Sequence, residues 1–146
     1  MSVLFVEDVS VGDELPALEK HPSTRQLVMY AGASDDYTPI HYDKDLAVEA
    51  GLDSVIVHGA LKSAFLAQLV TDWIGPSGRL RELSVSYRAF DIPGDTLTCK
   101  GRVTGTRVDH GEHVVECDVW LENGKGDTTT PGRAVVSLPS RSSGAG

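Results

Sequence analysis

The chain has 146 residues, of which 40% are hydrophobic and 23% are charged, and its formal net charge at pH 7 is −8. This length and composition are typical of one folded domain and exclude a disordered, fibrous or membrane-embedded chain. The acidic balance argues against binding to nucleic-acid backbones, although a local basic patch can still hold a small anionic ligand.

The N-terminal part of the chain predicts a short strand followed by a helix. The apolar run Leu4–Val6 favours a strand, and a turn signal follows at Val11–Glu14. Ser23 or Thr24 can then cap a helix over Arg25–Gly32, because a hydroxyl oxygen accepts a hydrogen bond from a free amide of the first turn.

Residues 33–40 are predicted to be non-helical, because Pro39 has no amide hydrogen and restrains the residue before it. Asp43 then caps a two-turn helix that ends at Gly51. A much longer apolar stretch runs from residue 59 to residue 74. Its large apolar side chains recur every four positions, at Leu61, Phe65, Leu69 and Trp73. This spacing predicts a helix with a wide apolar face.

After residue 79 the hydrophobic period changes to two, which is typical of strands. Residues 80–87 alternate, and segments 96–108, 113–122 and 129–138 have strand-like composition and are separated by turns. Helices followed by an antiparallel meander indicate the α+β class. A curved sheet wrapped around the long apolar helix would cover it, which is the hot-dog architecture. We therefore predict one folded domain over residues 1–138 and a flexible polar tail over residues 139–146.

The two cysteines, Cys99 and Cys117, form no redox or metal-binding motif and are predicted to be reduced, partly buried thiols. The N-terminus lacks the basic region of a signal peptide, and no stretch reaches the ~20 apolar residues of a membrane span. We therefore expect a soluble, cytoplasmic protein with no membrane or nucleic-acid partner.

A loop between the first two predicted helices carries two groups suited to acid–base chemistry. Asp36 and His41 lie five residues apart, and Pro39 stiffens the chain between them. A carboxylate and a neutral imidazole on one water molecule can act as a base and acid pair. The alternative is that Asp36 caps a turn and His41 is an ordinary loop residue, and the spacing alone favours this alternative.

A second candidate lies at the start of the long apolar helix, at His58 and Gly59. Helix N-termini present free amide hydrogens and a partial positive charge, which suit a carbonyl oxygen that gains negative charge. The alternative is that Gly59 only permits tight packing against the sheet, and the two interpretations are evenly balanced. His58 is interpreted as a capping or core residue without a catalytic role.

These motifs together resemble the MaoC-like dehydratase family, also called the (R)-specific enoyl-CoA hydratase family. Its signature is approximately Ser-Gly-Asp-x-Asn-Pro-(Ile/Leu/Val)-His, and the matching stretch here is residues 34–41, followed by His58-Gly59 before the apolar helix. The resemblance extends to residues 9–16 and 93–95 and so covers most of the chain. Two positions depart from the signature, because Asp35 stands in place of Gly and Thr38 in place of Asn.

The resemblance implies a single hot-dog hydratase domain that acts on a CoA or acyl-carrier thioester. It implies that Asp36 and His41 hold one water and add it to a trans-2-enoyl thioester, or catalyse the reverse dehydration. The backbone amide of Gly59 would bind the thioester carbonyl, and Thr38 and Ser63 would support the loop or dyad. An equal alternative for Ser63 is helix packing. No metal and no cofactor beyond the thioester substrate are expected.

The departures leave the loop hydrogen bond of Thr38 in place but affect the expected substrate geometry, and Asp35 is expected to point to solvent. Two alternatives to a hydratase stay open: an acyl-CoA thioesterase, and a hot-dog subunit that binds the acyl thioester within a heteromeric hydratase. A homodimer or a heterodimer with another hot-dog subunit is expected, because the sheet edges need cover. Four arginines are candidates for contact with the ligand phosphates, namely Arg79, Arg81, Arg88 and Arg133.

Overall fold

The computed structural model describes residues 2–144 and consists of five strands and three α-helices. The strands are Leu18–Lys20 (β1), Arg79–Val85 (β2), Leu97–Asp109 (β3), Glu112–Glu122 (β4) and Thr128–Leu138 (β5). The helices are Thr24–Ser34 (α1), Lys44–Glu49 (α2) and Gly59–Ile74 (α3), and short 3₁₀ turns lie at Val6–Asp8, Pro39–His41 and Arg141–Gly144. All strand pairs are antiparallel, in the order β1-β3-β4-β5-β2.

Helix α3 is the centre of the core and packs against strands β2, β3, β4 and β5. Alternate residues of the strands point at it, as the period of two requires. The buried side chains on the helix include Leu61, Phe65, Leu66, Leu69, Val70 and Ile74, and those on the sheet include Val103, Val115, Cys117, Val119, Ala134 and Val136. Among residues 2–144, no helix is both long enough and apolar enough to cross a membrane, α3 included.

The predicted helix caps are present, and one helix is longer than predicted. The Ser23 hydroxyl accepts from the Gln26 amide at 3.1 Å, and the Asp43 carboxylate accepts from the Leu46 amide at 3.2 Å. Helix α1 continues to Ser34 instead of ending at Gly32, so the predicted non-helical stretch 33–40 is wrong at its start. It is also wrong at its end, because a proline fits the first position of a helical turn and the turn at Pro39–His41 forms there.

The predicted strand Leu4–Val6 is wrong, since no strand forms there. Instead the Asp8 carboxylate accepts from the Phe5 amide at 3.1 Å and holds a 3₁₀ turn. Strand β1 was not predicted, because its three residues contain no β-branched or aromatic side chain and its partner in β3 lies far along the chain.

The first residues of the predicted flexible tail, 139–141, contact the N-terminal segment. The Pro139 carbonyl accepts from the Val6 amide at 2.9 Å, and Ser140 is buried with its hydroxyl donating to Glu7. The Arg141 guanidinium contacts Asp8 at 2.8 Å. Partners near the N-terminus therefore hold this segment, whereas residues 145–146 of the predicted tail lie outside the described residues.

Cys99 and Cys117 on β3 and β4 are free, as predicted, but they are fully buried instead of partly buried. Burial raises the pKa of each thiol to about 12. Because the thiolate is the reactive form, both side chains are chemically quiet at neutral pH.

Candidate active site

The loop between α1 and α2 brings Asp36 and His41 together. Helix α1 ends at Ser34, and the next residue, Asp35, caps it with a φ of 56° that turns the chain sharply. The 3₁₀ turn at Pro39–His41 then turns it back. As a result His41 Nε2 lies 3.8 Å from Asp36 Oδ2, a gap too long for a direct hydrogen bond.

The ring of His41 is held in one orientation by the backbone of the segment before α3. The side chain is 9% exposed, and Nδ1 lies 2.8 Å from the carbonyl oxygen of Ile56. A carbonyl oxygen only accepts, so Nδ1 carries the hydrogen and donates it. In the neutral form of the ring, Nε2 is therefore the unprotonated nitrogen, and it faces Asp36.

Asp36 is kept as a carboxylate by the residue two positions on. The Thr38 hydroxyl donates to Asp36 Oδ1 at 2.7 Å, and the Thr38 amide donates to the same atom at 3.3 Å. These two bonds, with smaller contributions from His41 and His58, hold the pKa of the Asp36 carboxyl below its usual range. Thr38 thus bonds to Asp36 within the loop, although its side chain differs from the asparagine of the family signature.

His58 lies directly behind His41, a contact that the sequence did not predict. The two rings stack with centroids 3.7 Å apart and planes 19° apart, and Tyr30 packs edge-on against His58 at 4.8 Å. His58 is 1% exposed, and its Nε2 donates a long hydrogen bond of 3.4 Å to the Asp36 carbonyl. Burial is the main cause that lowers the pKa of His58, so this ring stays neutral and packs against the His41 ring as an uncharged surface.

Gly59 is the first residue of α3, so its amide hydrogen has no acceptor within the helix. A Cβ at this position would lie 2.9 Å from Cζ of Tyr87, which shows that the absence of a side chain allows the Tyr87 ring to lie against the helix start. Tyr87 follows strand β2, so this close contact is with the segment after that strand rather than with the sheet, and the predicted role of the Gly59 amide stays a prediction. Ser63 contacts the same ring system, with its hydroxyl 2.6 Å from the Tyr87 hydroxyl, rather than Asp36 or His41.

A cavity of about 420 Å³ opens beside these groups. His41 and Gly59 line it together with the buried Lys62, and Tyr87 and Phe90 form part of its wall. Most of the remaining lining is apolar, from Ile56, Val57 and Ala89. A mostly apolar cleft with a few convergent polar groups is the usual form of a small-molecule site.

Only one of the four candidate arginines lies at this cavity, namely Arg88. Arg81 and Arg133 are already paired with carboxylates, Arg81 with Glu112 at 3.4 Å and Arg133 with Glu116. Arg79 lines a different depression, with Pro76 and Ser137. Arg88 is therefore the candidate that remains for phosphate contact at this site.

Asp36, His41 and His58 offer three potential metal ligands within 4.8 Å of one another. An imidazole binds a metal in the plane of its ring, and two nearly parallel stacked rings cannot both have one ion in their planes. His41 Nδ1 is also occupied by Ile56. The geometry favours proton transfer over metal binding.

The family model described as "MaoC like domain" matches residues 8–124, which include the loop, the start of α3 and most of the sheet. The chain belongs to the MaoC-like domain family.

Named relatives agree with this family. The chain is 29% identical to the 3-oxo-4,17-pregnadiene-20-carboxyl-CoA hydratase beta subunit of Mycobacterium tuberculosis, over 91% of this chain and 98% of that subunit. It is 30% identical to an (R)-specific enoyl-CoA hydratase of Rhodospirillum rubrum, over 94% of this chain and 93% of the relative. The solved (R)-hydratase of Aeromonas caviae superposes with a TM-score of 0.81 at 25% identity, over 92% of this chain and all of that chain.

These findings confirm the predicted family, the hot-dog fold and an enzyme of the hydratase class. The roles of Asp36, His41, Gly59, Thr38 and Ser63 remain predictions. So do the cytoplasmic location, the absence of a cofactor and the domain boundary at residue 138.

We predict that Thr38→Val raises the pKa of the Asp36 carboxyl, because the hydroxyl bond that contributes most to lowering it is removed. The measurement is a pH titration of the Asp36 carboxyl carbon by NMR. If Asp36 is the base, activity is lost as pH falls through its pKa, so the acid limb of kcat/KM also moves to higher pH in the variant. The exposed Thr106→Val is the control. An unchanged Asp36 titration would contradict the prediction.

Proposed function

We propose that the chain hydrates trans-2-enoyl thioesters to (R)-3-hydroxyacyl thioesters, or catalyses the reverse dehydration. The observation that carries this proposal is the 3.8 Å gap between His41 Nε2 and Asp36 Oδ2. Both atoms accept hydrogen bonds, and a gap of this size accommodates one water that donates to both. The water oxygen then keeps a lone pair for attack on carbon.

In hydration, the dyad takes one proton from this water as the oxygen bonds to the β-carbon of the substrate. The double bond shifts to give an enolate, and its negative charge collects on the thioester oxygen. The free amide of Gly59, at the positive end of α3, is suited to stabilise that oxygen. The dyad then returns its proton to the α-carbon, and the overall change is the addition of one water.

The cavity supports a thioester substrate. His41, Gly59, Tyr87 and Phe90 line it whereas Asp36 does not, so an enoyl group can lie between His41 and the Gly59 amide. Arg88 at the cavity provides positive charge for ligand phosphates although the whole chain is acidic. Relatives named as CoA hydratases are consistent with a CoA thioester, and an acyl-carrier thioester would share the same reacting atoms.

The reaction itself is tested with a panel of trans-2-enoyl-CoA substrates of different chain length and branching. We expect loss of the absorbance of the conjugated thioester and a 3-hydroxyacyl product with (R) configuration by chiral chromatography. An (S) alcohol would refute the assignment. Release of free CoA without hydration would favour a thioesterase instead.

The dyad is tested by single and double variants. Asp36→Asn and His41→Ala should each lower kcat by ~10²–10⁴, the range for positioned acid–base groups. The double variant should lose little more than either single variant, because both groups act on one water.

Asp35→Asn is the matched control, since Asp35 is the neighbouring carboxylate and is exposed. We expect it to keep its activity, and thermal unfolding should show that all variants fold. Full activity in either single dyad variant would exclude the catalytic role.

We also propose that the working form contains two hot-dog subunits, either two copies of this chain or this chain with a second hot-dog protein. The Asp36 side chain is 43% exposed, which leaves a catalytic base open to bulk water in the single chain. Large exposed apolar side chains are concentrated on the elements around it, at Val28, Met29, Tyr37, Tyr42, Leu46, Val48, Tyr87, Phe90 and Ile92. Strand β2 is an edge of the sheet and pairs only with β5 among the described strands, and a relative is named as a beta subunit.

Sedimentation of the purified chain at micromolar concentration, with activity measured on the same sample, tests this assembly. We expect either an active species of twice the mass or an inactive chain that gains activity with a second hot-dog protein. A fully active monomer of 15.6 kDa would overturn it.

A further inference from the structure

A buried ion pair lies beside the candidate site and has no part in the reaction as described so far. Lys62 Nζ lies 2.9 Å from Asp91 Oδ2, and the two side chains are 3% and 0% exposed. Lys62 is on the first turn of α3, three residues after Gly59. Asp91 comes from the segment that follows β2 and does not line the cavity, whereas Lys62 does.

This pair fastens the cavity wall to the start of α3. The Lys62 ammonium also donates to the Ala89 carbonyl at 3.0 Å, and the Thr129 hydroxyl donates to Asp91 Oδ2 at 2.6 Å. The Asp91 carbonyl in turn accepts from the Val57 amide at 2.8 Å. Residues 87–91 are therefore held against α3 at one end by Lys62 and at the other by the Tyr87 ring on Gly59.

Stability alone does not explain the pair. Two charges removed from water lose hydration, and apolar residues of similar shape in their place are often neutral or stabilising. Within residues 2–144, Asp91 Oδ1 is also buried without a hydrogen-bond partner, so the carboxylate is only partly satisfied. A costly arrangement next to a reaction site points to a role in that site.

We propose that Lys62 and Asp91 form a positioning pair that holds residues 87–91 against α3. The positive end of this pair, the Lys62 ammonium, then lies at the cavity beside the Gly59 amide. There it would favour the negative charge that develops on the thioester oxygen, as fixed dipoles do in a water-poor site. This inference rests on the proposed hydratase function, and it assigns Lys62 an effect on the transition state.

The test is the triple variant Lys62→Met/Asp91→Leu/Thr129→Val, which replaces the buried polar group with apolar side chains of similar size. Removal of one partner alone would leave an unpaired buried charge and destabilise the fold. The control Lys100→Met/Glu122→Gln removes an ion pair on β3 and β4 instead, and glutamine keeps an acceptor for the Trp120 indole.

We expect the triple variant to fold with an unchanged or higher melting temperature. Its kcat on an enoyl-CoA should fall at least about tenfold, while KM changes by less than about threefold. The control should match the wild-type chain in both constants. A kcat loss without a KM change marks an interaction made in the transition state, which simple loss of packing would not give.

A folded triple variant with wild-type kcat would overturn the proposal, as would a rise in KM alone, which would assign the pair to ground-state binding. Failure of the triple variant to fold would overturn it too, because the pair would then serve stability. A wild-type chain that hydrates no enoyl thioester would instead refute the proposed function itself and remove the basis of this inference.

Discussion

The hydrogen bond from His41 Nδ1 to the Ile56 carbonyl is the contact on which the site depends. It is one half of a reciprocal pair, since the Ile56 amide donates to the Ile40 carbonyl at 3.0 Å. The two bonds clamp the dyad loop to the segment that leads into α3. They fix the tautomer of His41 and also set the distance between the dyad and Gly59, which follows three residues after Ile56.

The segment before α3, residues 55–57, is also bonded to the cavity wall. The Val57 amide donates to the Asp91 carbonyl, so one short stretch before α3 is bonded to the dyad loop and to the cavity wall. Such ordering of irregular backbone costs conformational entropy, which burial of apolar surface must offset. Val55, Ile56 and Val57 are all at most 5% exposed, and α3 continues directly from them into the core. The core thus holds the stretch before α3 in place, and this stretch in turn positions the dyad loop and the cavity wall at residues 87–91.

The parts of this architecture that the sequence predicts are those determined by local pattern. The four-residue apolar repeat of α3, the alternation of the strands, and the caps Ser23 and Asp43 depend on neighbours within a few positions. The features that it missed depend on distant partners. The partner of Lys62 is Asp91, 29 residues away, and the partner of the Ser140 hydroxyl is Glu7, 133 residues away.

In the candidate site too, the sequence predicts what local spacing determines and misses what distant partners determine. The spacing of Asp36 and His41 marks the dyad, but nothing in the spacing shows that His58 stacks on His41. Burial of His58 has a chemical consequence, because a charged ring there would pair with Asp36 and compete with its role as a base. The low pKa of Asp36 arises mainly from the two Thr38 hydrogen bonds instead of from a histidine cation. Separate environments thus hold Asp36 charged and His58 uncharged at neutral pH.

The burial of an uncharged His58 lowers the stability of the fold, because one of its ring nitrogens is left without a partner. Within the described part of the chain, His58 Nδ1 is buried and has no hydrogen-bond partner. An unpartnered nitrogen in the interior loses its bond to water without a replacement, which lowers stability. Phenylalanine would avoid that loss and could still stack on His41, but it could not donate to the Asp36 carbonyl as His58 Nε2 does. The imidazole therefore combines a flat apolar face for His41 with one donor for the loop, and its second nitrogen is the part left unsatisfied.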